Sequence, residues 1–356
     1  MKKRKKRGRV RRRNRFVSYD YTISYSRISI TFILIIIIGF GFYCIANKET
    51  AKEVIKSKDD VELEGEIVSE VMETTVAETE PEIIDLYAKP ALNKVTIGDE
   101  VFSKNAVLID LSTNQILADK NSNERIYPAS LTKIMTVIVG LEMAENLQDA
   151  YMIPEDIFGY LFEADASTAG FQPNEEVKII DLMYGAMLPS GADATIAIAR
   201  CISGSEEAFV EKMNEKLIEL GIDGTTHFTN TSGLHDDNHY STVADIAVIF
   251  NYALKNPTFR QILLTRTYTS SPTNINPDGV TMTSTMFNRI SGNEVEGVTI
   301  LGGKTGFTDQ AGLCLASIAN KNGKEYMLVT ANASVDCGVY SANTVDAITV
   351  YGNYLS

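Results

Sequence analysis

The chain has 356 residues, room for one large domain or two small ones, and shows no internal repeat. Its 46 acidic residues exceed 33 basic ones. Because 11 of the basic residues fall in the opening MKKRKKRGRVRRRNRF, the remainder carries 22 basic against 46 acidic residues, a charge of −24. So acidic a body excludes nucleic acid as its partner and confines any attraction for anionic surfaces to the first residues.

The basic head is followed by ISITFILIIIIGFGFYCIA, Ile28 to Ala46, 19 residues without a charge. As a helix rising ~1.5 Å per residue this run spans ~28 Å, about the thickness of a bilayer's hydrocarbon core. Dense lysine and arginine on its N-terminal side predicts a cytoplasmic tail over residues 1–27, a transmembrane anchor over 28–46 and everything later outside the cytoplasmic membrane. A cleaved signal peptide is the competing reading. Its hydrophobic core would be unusually long and Tyr43-Cys44-Ile45-Ala46 is a poor small-residue cleavage site, so a retained anchor is expected. Phe42 and Tyr43 are too bulky for Cys44 to be a lipoprotein cysteine. Residues 47–85 follow as an acidic flexible linker. From Lys48 to Asp85 there are 13 acidic and 4 basic residues, no aromatic residue and no sustained apolar period. Flexible-chain scaling gives this tether a reach of roughly 35 Å.

From residue 86 to 356 the composition becomes that of a globular domain. AVLIDLSTNQILADKN, Ala106 to Asn121, predicts two strands around Ser112-Thr113-Asn114. A helix is expected from Ser130, apolar on most sides through Ile134, Val137, Ile138, Leu141 and Met143. Further helices are expected at Ile179 to Leu188, Asp193 to Ile202, Glu206 to Leu220, Thr242 to Lys255 and Asn343 to Tyr354. Near the end VTILGGKTG, AGLCLASIAN and EYMLVTANA read as strands joined by TDQ and KNGK. Two strands early and three late imply an antiparallel sheet assembled from both ends of the domain and flanked by helices, an α+β fold. Cys201, Cys314 and Cys337 show no metal spacing and read as small buried apolar residues.

Three stretches carry candidate chemistry. In YPASLTKIMT a serine at the start of a helix lies near unpaired N–H groups and the positive end of the dipole. Lys133 falls one turn later on the same face as Ser130. Its apolar neighbours Ile134 and Met135 would desolvate the amine and lower its pKa, as a general base requires. Read alone, the same residues also make an ordinary cap and a surface lysine. In GAMLPSGADAT, Ser190 follows Pro189 on a loop between two helices, where a hydroxyl is either presented or spent as a cap. In LGGKTGFTDQAG, three glycines around Lys304 and Thr305 let another backbone come close, so that a substrate can lie alongside as an added strand. LHDDNHYST contains His235 and His239 four residues apart, a zinc spacing on a helix, but Gly233 and Asp236-Asp237-Asn238 argue for a loop, and no metal is expected.

Together and in this order, the S-x-x-K, second serine and K-T-G elements resemble the penicillin-binding protein and class A β-lactamase superfamily. Longer phrases (YPASLTKIMT, MLPSGADA, NTSGLHDDNHYST and GGKTGFTDQAG) narrow the likeness to the serine D-alanyl-D-alanine carboxypeptidases, over roughly residues 95 to 355. The resemblance implies a β-lactamase/transpeptidase-like fold, no cofactor, peptidoglycan stem peptides as substrate and β-lactams as covalent inhibitors. It assigns Ser130 as nucleophile, Lys133 as its base and Ser190 as proton relay. Lys304 and Thr305 would bind the terminal carboxylate, with Gly306 and Phe307 completing the substrate strand and the N–H groups of Ser130 and Phe307 forming the oxyanion hole. Many relatives carry a small β-rich domain and a C-terminal amphipathic anchor, whereas the anchor expected here is N-terminal. A second departure is Ala192 at a position usually occupied by asparagine, which would touch both lysine and substrate. Asp193 is no simple replacement, since one helical step turns a side chain by about 100°. Two alternatives stand beside the carboxypeptidase. A β-lactamase would need an E-x-x-L-N phrase, and none is convincing between residues 155 and 185. A non-catalytic wall-binding or antibiotic-sensing domain would account for Ala192.

Overall fold

The computed structural model describes residues 86–290, 295–335 and 341–355. The expected tail, span and linker lie outside these residues, as do Cys44 and Cys337. No helix among the described residues is long and apolar enough to cross a membrane.

Six strands form the central sheet: β1 (Lys89–Thr96), β2 (Asn105–Asp110), β3 (Gln115–Lys120), β8 (Val298–Thr308), β9 (Gly312–Lys321) and β10 (Lys324–Ala333), in spatial order β1-β3-β2-β10-β9-β8. The small ribbons β4 (Ala150–Met152) with β5 (Glu176–Lys178) and β6 (Thr267–Thr269) with β7 (Thr281–Thr283) lie apart from it. Asn322 and Gly323 both take positive φ, 54° and 79°, between β9 and β10. This primed two-residue turn matches the right-handed twist of a hairpin, which is why KNGK closes one here. Early strand β2 then pairs antiparallel with late strand β10, from Tyr326 opposite Asp110 to Ala331 opposite Asn105.

The expectation of a purely antiparallel sheet needs one correction: β1 runs parallel to β3, with Lys89 opposite Gln115 and Thr96 opposite Asp119. It went unread because Ala91 is its only buried residue, so an exposed edge strand offered no alternation of apolar and polar side chains.

Both faces of the sheet are covered, and alternate residues of one strand supply two separate cores. Val107 and Ile109 of β2, with Met327 and Val329 of β10, face the larger core. Ala106, Leu108 and Leu328 face the smaller one. The larger is filled by α1 (Lys133–Met143), α3 (Ile179–Met187), α4 (Ala192–Ser203), α5 (Glu206–Glu219), α6 (Val243–Leu254) and α7 (Pro257–Leu264), with α2 (Asp156–Glu163) at its rim. The smaller lies under α8 (Thr285–Ile290) and α9 (Ala342–Tyr354). Residues 133 to 140 of α1 are all buried, which places this helix in the interior. Side-chain caps start the outer helices where the sequence offers them. Ser205 accepts from Ala208 N, Thr242 from Asp245 N, and Asn256 from Thr258 N ahead of Pro257.

Asp346 of α9 joins the ends of the domain. Its carboxylate accepts from Phe102 N at 2.7 Å, Ser103 N at 2.7 Å and Ser103 Oγ at 2.5 Å, fixing the loop that leads into β2. Asp346→Ala would strand the buried N–H and hydroxyl of Ser103 and free the N–H of Phe102, and we expect it to lower unfolding free energy by about 2–4 kcal/mol in a urea titration. A change within about 0.5 kcal/mol would show that the loop is held by apolar packing alone.

Candidate active site

The serine at 130 is presented by a strained turn. Ala129 sits in the left-handed region at φ 46°, and residues Ala129–Thr132 form one 3-10 turn that runs into α1. Two neighbours hold that turn. Thr132 Oγ1 donates to Ala129 O at 2.8 Å and lies 2.7 Å from His239 Nε2. His239 Nδ1 accepts from Thr229 N at 3.1 Å, so the ring proton is assigned to Nε2, which donates to Thr132. Burial pulls the His239 pKa down to about 3 and keeps the ring neutral. On the other side Gly233, at φ 79°, lies flat against the turn; a methyl group there would come within 1.9 Å of Ala129 O. Only glycine allows both that backbone angle and that approach.

The Gly233 loop also sets the lysine. Lys133 is 2% exposed, and its Nζ donates to Ser232 O at 2.6 Å and stands 3.0 Å from Ser130 Oγ. At that distance a protonated amine donates to the hydroxyl and a neutral one accepts its proton. Burial lowers the Lys133 pKa from 10.5 to about 7, against the opposing fields of Asp193 and Glu206. Glu206 also accepts from Thr231 N and Thr231 Oγ1 at 2.9 and 2.7 Å, so one carboxylate fastens the loop and biases the amine.

A second serine–lysine pair forms the facing wall. Ser190 occupies the left-handed region at φ 70° between α3 and α4, and its Oγ accepts from Lys304 Nζ at 2.8 Å. Lys304 is fully buried, donates also to Thr305 O at 2.7 Å, and has its pKa driven well below 10.5 by burial and by the fields of Lys133 and Arg289. Edge strand β8 completes the enclosure. A methyl group on Gly306 would approach Pro128 O and Ser130 N to 3.2 Å, so this strand lies against the Ser130 turn. Ser130, Lys133, Ser190, Thr305, Gly306 and the half-exposed Phe307 all line one open cavity of about 540 Å³. The structure thus brings together all seven residues singled out in the sequence, Lys304 reaching the cavity through Ser190.

Ala192 lines the same cavity, whereas Asp193 turns to the neighbouring loop, where its Oδ1 accepts from Ala169 N at 2.8 Å. Its Oδ2 is buried with no hydrogen-bond partner among the described residues, and burial raises its pKa. The lysine anchor that Ala192 cannot supply is the Ser232 carbonyl, a backbone group that no side-chain motif reveals. His239, Glu206 and Asp193 were likewise not assigned to the site from sequence, because their contacts join segments tens of residues apart. The two histidines of the His235–His239 spacing stand in different places. His239 is buried behind the turn, and His235 stands at the cavity mouth edge-on to Tyr127, ring centroids 4.8 Å apart. No cluster of three or more metal-ligating side chains occurs among the described residues. Buried Cys314 has its thiol pushed up to about 12, and it and Cys201 are unpaired with each other.

A buried amine beside a hydroxyl on a strained turn, facing an open edge strand, is the arrangement that acyl transfer through a serine requires. The sequence profile of the D-alanyl-D-alanine carboxypeptidase family matches residues 92–335, and the chain belongs to that family. It is 35% identical over 239 residues to the D-alanyl-D-alanine carboxypeptidase DacF of Bacillus subtilis, covering 65% of this chain and 58% of the relative. Against the D-alanyl-D-alanine carboxypeptidase DacA of Haemophilus influenzae, identity is 33%, covering 62% and 54%. The chain therefore spans about half the length of these curated relatives. Among solved structures it resembles the Streptomyces K15 DD-transpeptidase at TM-score 0.62 and 28% identity, covering 74% of this chain and 98% of that one.

The amine's environment yields a direct measurement. Lys133 is expected to titrate near pH 7 by NMR of ε-carbon-labelled lysine. Asp193→Asn removes a field that favours the protonated form, so the midpoint should move down. An upward move, or a midpoint near 10, would contradict the burial argument.

Proposed function

We propose that the domain is a serine D-alanyl-D-alanine carboxypeptidase that trims peptidoglycan stem peptides outside the cytoplasmic membrane, where residues 28–46 hold it through an acidic tether. The observation that carries the reading is the buried Lys133 amine 3.0 Å from Ser130 Oγ. The stem peptide lies antiparallel to β8, its last peptide bond over Ser130. Neutral Lys133 takes the hydroxyl proton as Oγ attacks the penultimate D-alanine carbonyl. The N–H groups of Ser130 and Phe307 receive the oxyanion, Gly306 keeping the strand close enough for both. Ser190, joined to Lys304, accepts that proton from Lys133 and passes its own to the departing amine, so the peptide C–N bond breaks, D-alanine leaves and Lys133 is neutral again. Water then attacks the acyl-serine carbonyl as neutral Lys133 takes its proton, the bond to Ser130 Oγ breaks, Lys133 returns the proton to Oγ, and the shortened peptide is released. A β-lactam acylates Ser130 in the same way and stalls there.

Ala192 supports a slower version of this chemistry, because one donor to the substrate carbonyl is missing, rather than a non-catalytic module. Incubating membranes carrying the full chain with a pentapeptide ending in D-alanyl-D-alanine should release one D-alanine, detected by mass spectrometry. The activity should stay in the pellet after alkaline carbonate washing and vanish in Ser130→Ala. Ala192→Asn should raise kcat by roughly tenfold, the worth of about one added hydrogen bond in the transition state. Intact pentapeptide at high enzyme concentration would refute the reading, and activity in the wash would refute the anchor.

A further inference from the structure

The loop that carries the Ser232 carbonyl is bracketed by one half-buried side chain. Asn230 Oδ1 accepts from Gly233 N at 2.7 Å and from Ser232 N and Ser232 Oγ at 3.2 Å each. Its Nδ2 donates to Leu234 O at 2.9 Å. Two N–H groups at one end of the amide and a carbonyl at the other fix which end is the oxygen. The bracketed residues are the ones that meet the Ser130–Lys133 pair. Ser232 O accepts from Lys133 Nζ at 2.6 Å, and Gly233 lies flat against Ala129 of the Ser130 turn. The start of the loop is tied separately, Thr229 N to His239 Nδ1 and Thr231 to Glu206. Neither tie reaches residues 232–234, where glycine permits a wide range of backbone angles.

We propose that Asn230 is a positioning residue, which aims the Ser232 carbonyl at Lys133 and keeps the amine in register with the Ser130 turn. This rests on the acyl-serine reading above. Lys133 Nζ has two hydrogen-bond partners among the described residues, Ser130 Oγ and Ser232 O, so the carbonyl fixes the direction left for the hydroxyl. Ala192 on the same cavity wall has no hydrogen-bonding group to take over that task. A base misplaced by about 1 Å is enough to cost on the order of 100-fold in rate. Asp193, Glu206 and Lys304 are the charged groups whose fields act between themselves and Lys133, and buried His239 beside them is neutral. A neutral substitution at 230 alters none of these charges.

The test follows acylation by a fluorescent penicillin over a range of concentrations, which separates non-covalent affinity from the acylation rate. Asn230→Ala should slow acylation by about 100-fold and leave the affinity little changed. Asn230→Asp keeps an oxygen for the Ser232 and Gly233 N–H groups. Near pH 8.5, roughly where the added charge still leaves Lys133 largely neutral, it should recover most of the native rate. A native rate in Asn230→Ala overturns the proposal. So does an equal loss in Asn230→Asp, a result that needs no folded alanine variant. A readout independent of turnover is the NMR titration of Lys133. In Asn230→Ala the ammonium loses its carbonyl, so the midpoint should move down while acylation slows despite the larger neutral fraction. An unchanged or raised midpoint would mean that the loop acts by excluding water, and overturns the proposal. Failure of the native protein to be acylated would count against the serine chemistry, and the titration still decides the role of Asn230.

Discussion

The Lys133 amine, shut away from water beside a serine hydroxyl, is the constraint on which the rest of the structure turns. An ammonium in solution holds its proton to about pH 10.4 and cannot take one from an alcohol at neutrality. Burying it at the start of an interior helix removes the hydration that favours the charge, and the pKa falls to about 7. Desolvation alone would overshoot. The fields of Asp193 and Glu206 hold the shift back, so the amine sits where it can accept a proton and later return it. The fold's three-layer construction supplies the necessary depth: α1 passes through the larger core with residues 133 to 140 all buried, and Lys133 meets the cavity from its first turn.

Around this amine the site is assembled from backbone as much as from side chains. Ala129 and Ser190 hold left-handed angles next to or at the two hydroxyl-bearing positions, strain that the surrounding contacts maintain. Gly233 and Gly306 lack the side chains that would keep a loop and a strand away from the Ser130 turn. The Ser232 carbonyl anchors the lysine directly, which explains how alanine is tolerated at 192 without loss of the lysine's position. What alanine leaves out is any side-chain hydrogen-bonding group at that point of the cavity wall.

The sequence carried the strands and helices with strong periodicity and the residues with local spacing. Ser130 and Lys133 are one helical turn apart, and the three late strands are punctuated by Asn-Gly and by Asp-Gln turns. It did not carry β1, whose exposed residues show no alternation, nor the short helices α2, α7 and α8, none longer than eight residues. In the site, the three motifs were legible because each is local. Ser232 was not, because it acts through a carbonyl that every residue possesses. Contacts between segments far apart in the chain leave no periodic trace.

The two serine–lysine pairs divide the labour by depth and connection. Lys133 touches the Ser130 hydroxyl, and Lys304, more deeply buried, reaches the cavity through Ser190. The central claim is that burial makes Lys133 a base for Ser130 at neutral pH. Proteolytic mapping by mass spectrometry after timed exposure to benzylpenicillin, repeated between about pH 5.5 and 8.5, tests it most directly. The account predicts a single adduct on the peptide bearing Ser130, formed at a rate that rises as pH passes through about 7, the proton leaving Lys133. An adduct on another residue, or a rate flat across that range, would contradict it.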